Sequence, residues 1–347
     1  MSENKYIGWD IGGAHLKMAL VDTDGLVIQV EQHATPLWQG LESLLSTLEN
    51  IKARLPKSEF FHAITTTGEL SDLFEDRQRG VHTLLREFSN IFEDEQVLVY
   101  AGSPGLVSIS EANSHFHQVA SANWHATASY LARQNIEGVL VDIGSSTTDF
   151  ISIKEGKVCN KGYTDQERMS HDELLYTGIA RTPIMAIVNR VPIYGQWQSI
   201  AAEHFATMAD VYRISGELGE GHDLMPAADG GEKQIGDSVR RLARMLGSDA
   251  KPEDANEGYH HLAKFIAEEQ LQQISRALHR VISADPVNRP HLIGAGVGRF
   301  LATKLAQRNN YLYTDIGKML NAEENQLEKA ADCATAVSVA QLARLTR

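Results

Sequence analysis

Two short stretches with the same grammar constrain this chain more than anything else in it. At residues 6–22 an apolar run ends in Asp10-Ile11-Gly12-Gly13, and a second run follows at His15-Leu16-Lys17-Met18-Ala19-Leu20-Val21. At residues 138–153, Gly138-Val139-Leu140-Val141-Asp142-Ile143-Gly144 passes through Ser145-Ser146-Thr147-Thr148-Asp149 into another apolar run. Each reads as strand, tight small-residue turn, strand. Glycines at such a turn let the backbone fold back sharply and present bare N–H groups to an anion. Asp10 and Asp142, at the strand ends, suit a cation that carries phosphate, and Lys17, on the returning strand, suits phosphate oxygens. The phosphate-binding candidates are therefore the backbones of Gly12, Gly13 and Gly144 and the hydroxyls of Ser145, Ser146, Thr147 and Thr148. Taken singly, either stretch is equally an ordinary surface hairpin. The repetition favours a pair of phosphate turns.

A third stretch, Leu292-Ile293-Gly294-Ala295-Gly296-Val297-Gly298-Arg299, lies near the end. Together the three resemble the phosphate-one, phosphate-two and adenosine motifs of the actin-like ATPase superfamily, which includes sugar kinases, acetate kinases, heat-shock ATPases and actin. The resemblance implies an α/β fold of two ribonuclease-H-like lobes with a central cleft for nucleotide and metal. It also implies Mg²⁺ at Asp10 and Asp142, and nucleotide or substrate at Gly294, Gly296 and Gly298. The expected division is a first lobe at 1–136 and a second at 137–347, the latter with a helical insertion over 190–289. Gly-x-x-x-x-Gly-Lys-Ser/Thr does not occur, so this is not a P-loop chain. The Gly294 stretch also matches part of a dinucleotide fingerprint, but its late position and the two hairpins favour the actin-like reading.

The 347 residues are enough for two lobes of ordinary size, and 43% hydrophobic residues are enough to fill their cores. A net charge of −13 argues against nucleic acid or an anionic membrane as partner and leaves small molecules as the expected substrates. Cys159 and Cys333 stand far apart and form no metal-site pattern. The first strand begins almost at once, and no apolar run is long enough to span a bilayer, so a cytoplasmic protein is expected. A homodimer is left open.

Between the motifs, Leu37 to Leu55 has helical spacing and stops at Pro56, and Phe60 to Thr65 reads as a buried strand. A helix over Arg79–Phe92, a strand at 97–100 and a helix ending near Gln134 complete a β-β-β-α-β-α order. In the second lobe, 201–211, 236–245 and 257–282 have helical spacing. The alanine-rich stretch 330–345 reads as a closing helix packed on the second lobe.

Tyr176-Thr177-Gly178-Ile179-Ala180-Arg181-Thr182-Pro183 resembles a signature of the hydantoinase/oxoprolinase branch of the superfamily, supported by Ala206-Thr207-Met208-Ala209-Asp210-Val211-Tyr212-Arg213. Within that branch, Thr67-Gly68-Glu69-Leu70-Ser71-Asp72 is similar to short single chains linked to tetrahydromethanopterin-dependent one-carbon transfer. That resemblance implies a transferase of methanofuran-type cofactor biosynthesis. It would join an aminomethyl-furan-methyl diphosphate to the phenol oxygen of γ-glutamyltyramine or a related tyramine, release pyrophosphate and need no ATP, although ATP can still bind. In this reading Asp10, Lys17 and Asp142 form the catalytic charge set. Arg181 is a phosphate or carboxylate clamp, or else a structural ion pair. Glu69 is a base for the phenol, or else a helix N-terminal acid. Asp210 is expected to be structural, and the pairs His115/His117 and His260/His261 are expected at the surface or in packing. The rival readings are an ATP-dependent small-molecule kinase, an oxoprolinase-type ATP-dependent hydrolase, and an ATP-gated assembly protein. Pyrophosphate release without ATP would separate the synthase from all three.

Overall fold

A computed structural model describes residues 5–56, 59–93, 95–219, 221–250 and 257–346. The strands are β1 (Lys5–Ile11), β2 (His15–Val21), β3 (Val27–Ala34), β4 (Phe60–Thr66), β5 (Gln96–Tyr100), β6 (Leu106–Ser108) and β7 (Gly138–Ile143). They continue with β8 (Thr148–Lys154), β9 (Lys157–Val158), β10 (Leu174–Leu175), β11 (Arg190–Ile193), β12 (Gln196–Ser199), β13 (His291–Ala295) and β14 (Leu312–Asp315). They form a six-stranded sheet in the order β3-β2-β1-β4-β5-β6, a second sheet in the order β10-β8-β7-β13-β14 with β9 beside β8, and the two-stranded ribbon β11–β12. The fold is α/β, and the first sheet has the ribonuclease-H-like pattern: an antiparallel β1-β2-β3 meander continued by parallel β4 and β5.

The chain divides into two compact units. One comprises Met1–Leu140, Ile151–Arg168 and Thr314–Arg347, and the other Val141–Phe150 and Met169–Tyr313. This differs from a single division after residue 136, because the chain returns to the first unit over Ile151–Arg168 and again at its end. In that unit β1 and β4 are buried along almost their whole length, as parallel central strands covered on both faces are. Ile7, Trp9 and Ile11 point to one face and join Leu84, Phe88 and Phe92 in a core cluster. Trp9 is core: its indole packs edge-on to Phe88 at 5.4 Å and donates to His62 Nδ1 at 2.9 Å. The opposite face of β1 is covered by the closing helix, Ala334–Thr346, which also packs on helix Asn123–Arg133. The reason is steric. A Cβ on Gly8 would stand 1.9 Å from the Ala336 carbonyl, so only glycine lets that helix lie on the sheet. The closing helix thus belongs to the first unit rather than to the second.

In the second unit, helix Met208–Ser215 packs against helices Ile235–Met245 and Glu257–Ser283. Asp210 has the structural role expected of it. Its Oδ1 accepts from Arg241 Nε at 2.8 Å and Ser238 Oγ at 2.8 Å, and its Oδ2 caps the helix at the Thr207 amide. The insertion over 190–289 is not wholly helical, because residues 190–199 form the β11–β12 hairpin. Tyr194 and Gly195 turn it with positive φ of 49° and 77°, the two-residue geometry that matches strand twist. The helix expected over 201–211 begins only at Met208, where Thr207 and Asp210 form a capping box. His115 and His117 lie at helix ends, not on a strand. No cluster of three or more metal-ligating side chains occurs among the described residues. No helix there is long and apolar enough to cross a membrane.

Candidate functional site: two phosphate-type turns

The two hairpins close in the same way. Gly12 N–H donates to the His15 carbonyl at 2.9 Å, and Gly144 N–H donates to the Thr147 carbonyl at 2.9 Å. In each turn the first glycine therefore spends its amide on closure. The amides left without an acceptor among the described residues are those of Gly13 and Ala14 in one turn and of Ser145, Ser146 and Thr147 in the other. The two turns share a backbone mechanism as well as a sequence pattern.

In the first unit, Asp10 and Lys17 are direct cross-strand partners on β1 and β2. Lys17 Nζ lies 3.5 Å from Asp10 Oδ2, with the lysine side chain 25% exposed and the carboxylate 6%. Burial raises the Asp10 pKa above its ordinary value, and the Lys17 charge pulls it back only in part. Asp10 Oδ1 is buried and has no hydrogen-bond partner. The residue beside Asp10 on β4 is Thr65, whose Oγ1 is also buried without a partner. An unpartnered carboxylate oxygen, an unpartnered hydroxyl and a lysine thus lie on three neighbouring strands, with Asp10 on the middle one. Sequence reasoning missed Thr65, since its place beside Asp10 depends on parallel strand pairing across 55 residues.

Glu69 is in the same unit and has a different environment. Burial raises its pKa too, but both of its oxygens are engaged. Thr66 Oγ1 donates to Oε2 at 3.1 Å, and the Ser121 amide and hydroxyl donate to Oε1 at 2.8 and 3.2 Å. Ser121 accepts a positive φ of 55° to make this contact. Glu69 pins the end of β4 to the segment before helix Asn123–Arg133.

In the second unit, the turn Gly144–Thr147 rests on the segment 177–181. Ile179 N–H donates to Gly144 O at 3.1 Å, and the Ala180 and Arg181 amides donate to Ser145 O at 3.1 and 2.8 Å. Arg181 also donates through its guanidinium to Ser146 Oγ at 3.1 Å, so two residues proposed from distant stretches do meet. Ser145 Oγ and Ser146 Oγ are 3.4 Å apart. Thr147 Oγ1 lies 3.4 Å from Asp149 Oδ2. Thr148 is buried and its hydroxyl points inward, donating to Thr177 O at 2.7 Å, so it braces the hairpin. The supporting segment is held by Gln270, which donates to Thr177 Oγ1 at 2.7 Å and Gly178 O at 2.9 Å. Gln270 occupies a core position of its helix, between Ile266 and Ile274. A polar side chain at an apolar position was the one signal by which it was findable.

The glycines of the third motif also reach this turn. A Cβ on Gly296, which has φ +78°, would meet Asp142 Oδ1 at 2.4 Å, and one on Gly298 would meet Ile143 at 2.4 Å. Gly298 N–H donates to Ile143 O at 2.7 Å. Gly294 instead faces the Tyr313 hydroxyl. Asp142, Gly144, Ser145, Ser146, Arg181, Gly296 and Gly298 thus form one cluster.

The sequence pattern of the hydantoinase/oxoprolinase family matches residues 61–340. Over 270 residues the chain is 28% identical to the (4-{4-[2-(gamma-L-glutamylamino)ethyl]phenoxymethyl}furan-2-yl)methanamine synthase of Methanocaldococcus jannaschii, which spans 76% of this chain and 79% of that one. Over 126 residues it is 33% identical to the synthase of the same name from Methanococcus vannielii, covering 36% of this chain and 56% of the other. Among solved structures, a nucleotide-free acetone carboxylase shares the fold with a TM-score of 0.55 at 11% identity, over 88% of this chain and 67% of that one.

Proposed function

The chain belongs to the hydantoinase/oxoprolinase family, and from that premise we propose that it is a synthase of methanofuran-type cofactor biosynthesis. It joins an aminomethyl-furan-methyl diphosphate to the phenol oxygen of γ-glutamyltyramine and releases pyrophosphate. The observation that carries this reading is the likeness to the Methanocaldococcus jannaschii synthase, whose named product contains the aryl ether that this reaction forms.

The new bond runs from the phenol oxygen to the furfuryl carbon. The bond that breaks is the one between that carbon and the diphosphate, which leaves with the electron pair. The furan ring stabilises positive charge at the carbon, so the demand on the protein is to hold and neutralise the departing diphosphate and to orient the phenol. Lys17 and the amides of Gly13 and Ala14 supply donors in the first unit. In the second, the amides of Ser145 and Ser146, their hydroxyls and Arg181 do the same. The orphaned Asp10 Oδ1 fits a magnesium ion, and Asp142 is the corresponding candidate in its own unit. With no three-residue cage among the described residues, waters and phosphate oxygens would complete the shell, as is usual for this ion. Bound there, magnesium supplies charge neutralisation for the leaving group. The phenol proton passes to a carboxylate base or to water as the diphosphate departs; Glu69, which accepts from Thr66 and Ser121, keeps acceptor capacity beyond those bonds.

Phosphorus NMR tests this reading. One sample contains protein, Mg²⁺, the furan diphosphate and γ-glutamyltyramine. A second contains ATP and the furan alcohol. Pyrophosphate in the first sample without ATP is the expected result. ADP in the second sample alone would make the chain a kinase and overturn the synthase reading.

A further inference from the structure

A cavity of about 650 Å³ lies within the second unit, well inside the ~300–1,000 Å³ range of small-molecule sites. Its floor is the run Met185–Arg190, which begins four residues after Arg181. One wall is Trp197 of β12, and another is Phe265 and Glu269 of helix Glu257–Ser283. The two aromatic rings meet edge to face at 5.9 Å, yet Trp197 stays 58% exposed. A tryptophan that keeps more than half of its surface exposed beside another aromatic ring offers an amphipathic surface for recognition. The Arg190 guanidinium lies 4.5 Å above that ring. Neither Arg190 nor Glu269 forms an ion pair among the described residues, so one cationic and one anionic head border the same aromatic wall. The hairpin carrying Trp197 is anchored by Val191, which is fully buried, and a two-stranded ribbon needs such support to be rigid.

The helix that supplies Glu269 also supplies Gln270, which braces the segment under the Ser145–Ser146 turn. One turn further on, Gln273 donates to Ile187 O of the cavity floor at 3.0 Å. Three side chains of one helix therefore tie the cavity to the phosphate-type turn of the same unit.

The geometry points to this cavity as the acceptor site, taking a phenolic arylethylamine that carries a zwitterionic amino-acid head. The inference rests on the synthase reading above. The ring stacks on Trp197 and Phe265, Arg190 binds the α-carboxylate of the γ-glutamyl group, and Glu269 binds its α-ammonium.

The test uses the full chain and three variants, Arg190→Ala, Glu269→Gln and Trp197→Ala, with pyrophosphate release as the assay. Loss of a charge-assisted contact corresponds to a rise in KM for γ-glutamyltyramine of about 10- to 100-fold for the first two. Their KM for the furan diphosphate is expected to hold, as is their KM for plain tyramine, which lacks the head. Trp197→Ala is expected to raise KM for both phenols. A merely structural role would not separate γ-glutamyltyramine from tyramine. Wild-type turnover with unchanged KM in all three variants would overturn the acceptor site and leave the synthase reading standing. Should the wild type release no pyrophosphate, the synthase reading itself fails. Calorimetry with γ-glutamyltyramine then decides the cavity: binding weakened by Trp197→Ala supports it, and no binding to the wild type overturns it.

Discussion

Gly178→Ala is the substitution whose consequence follows most directly from the geometry. A Cβ at residue 178 would lie 2.4 Å from Ser146 N, 2.5 Å from Ser145 C and 2.6 Å from Gly144 O. Ordinary contact begins at 3.4 Å. The difference, 3.4 − 2.4, requires something to move by about 1 Å. Residue 178 is the fixed side: its amide donates to Thr182 Oγ1 at 2.8 Å and its carbonyl accepts from buried Gln270 at 2.9 Å. The partly exposed turn Gly144–Thr147 is the side that gives, carrying with it the Ser145 and Ser146 amides and the Arg181 contact. A misplacement of that size in a binding constellation costs about 100-fold in rate. Overpacking of this kind costs about 1–3 kcal/mol in stability, which leaves the chain folded. Pyrophosphate release would be measured for the variant and the wild type, with a thermal melt of each to establish that both are folded. A folded Gly178→Ala protein with wild-type kcat/KM would refute the inference that this turn handles the diphosphate.

Three further outcomes follow from the first unit. Asp10→Asn should lower kcat at least about 100-fold while leaving the melting temperature at pH 7 no lower than that of the wild type. The reason is that a buried acid with a raised pKa loses stability as pH climbs through that pKa, and the amide removes that loss; unaltered turnover would end the role given to Asp10. Gly8→Ala should destabilise severely, by more than about 3 kcal/mol, because the clash is backbone against backbone at 1.9 Å; a denaturant titration with an unchanged midpoint would contradict the packing of the closing helix. His125 is held at a pKa of about 4 by burial and then by the Arg168 charge. It therefore adds stability above pH 6.5 that is lost as pH falls toward 4, and its ring proton resonances should titrate near pH 4 rather than near 6.5.

What the sequence revealed was local, and what it hid was not. Both turns were legible because strand, small-residue turn and strand are contiguous, and their identical closure by the first glycine follows from that same stretch. The succession of strands and helices along the first unit was legible because strand and helix periodicities differ over contiguous residues, whereas the order of the strands in the sheet was not read. The place of the closing helix was hidden, because the signal is a missing Cβ at Gly8 matched to Ala336 at the other end of the chain. The β11–β12 ribbon was hidden in a stretch where Tyr194, a residue seldom found at positive φ, takes half of the turn. Thr65 and Gln270 were hidden because their importance comes from neighbours supplied by other elements. Arg181 was legible as a residue type, but its contact with Ser146 depends on Gly178 letting two backbones touch.

The two buried acids of the first unit show how a ligand-facing group can be told from a brace. Asp10 and Glu69 are both almost wholly buried, and burial raises the pKa of each. Burying a carboxylate is expensive, and a structural acid recovers that expense by having its oxygens satisfied. Glu69 fits this pattern, with three donors on two oxygens. Asp10 does not: one oxygen faces Lys17 at the long distance of 3.5 Å, the other faces nothing, and Thr65 adds a second unsatisfied oxygen beside it. An amide at position 10 would avoid the cost of burying a charge, and that cost is the ground on which Asp10 is proposed to face a ligand. The residual demand is for a positive group larger in charge than one lysine, which a divalent cation carrying a diphosphate would meet. Lys17 partly neutralises Asp10, and in the proposed reading it would also serve the phosphate oxygens if a cation were held at Asp10.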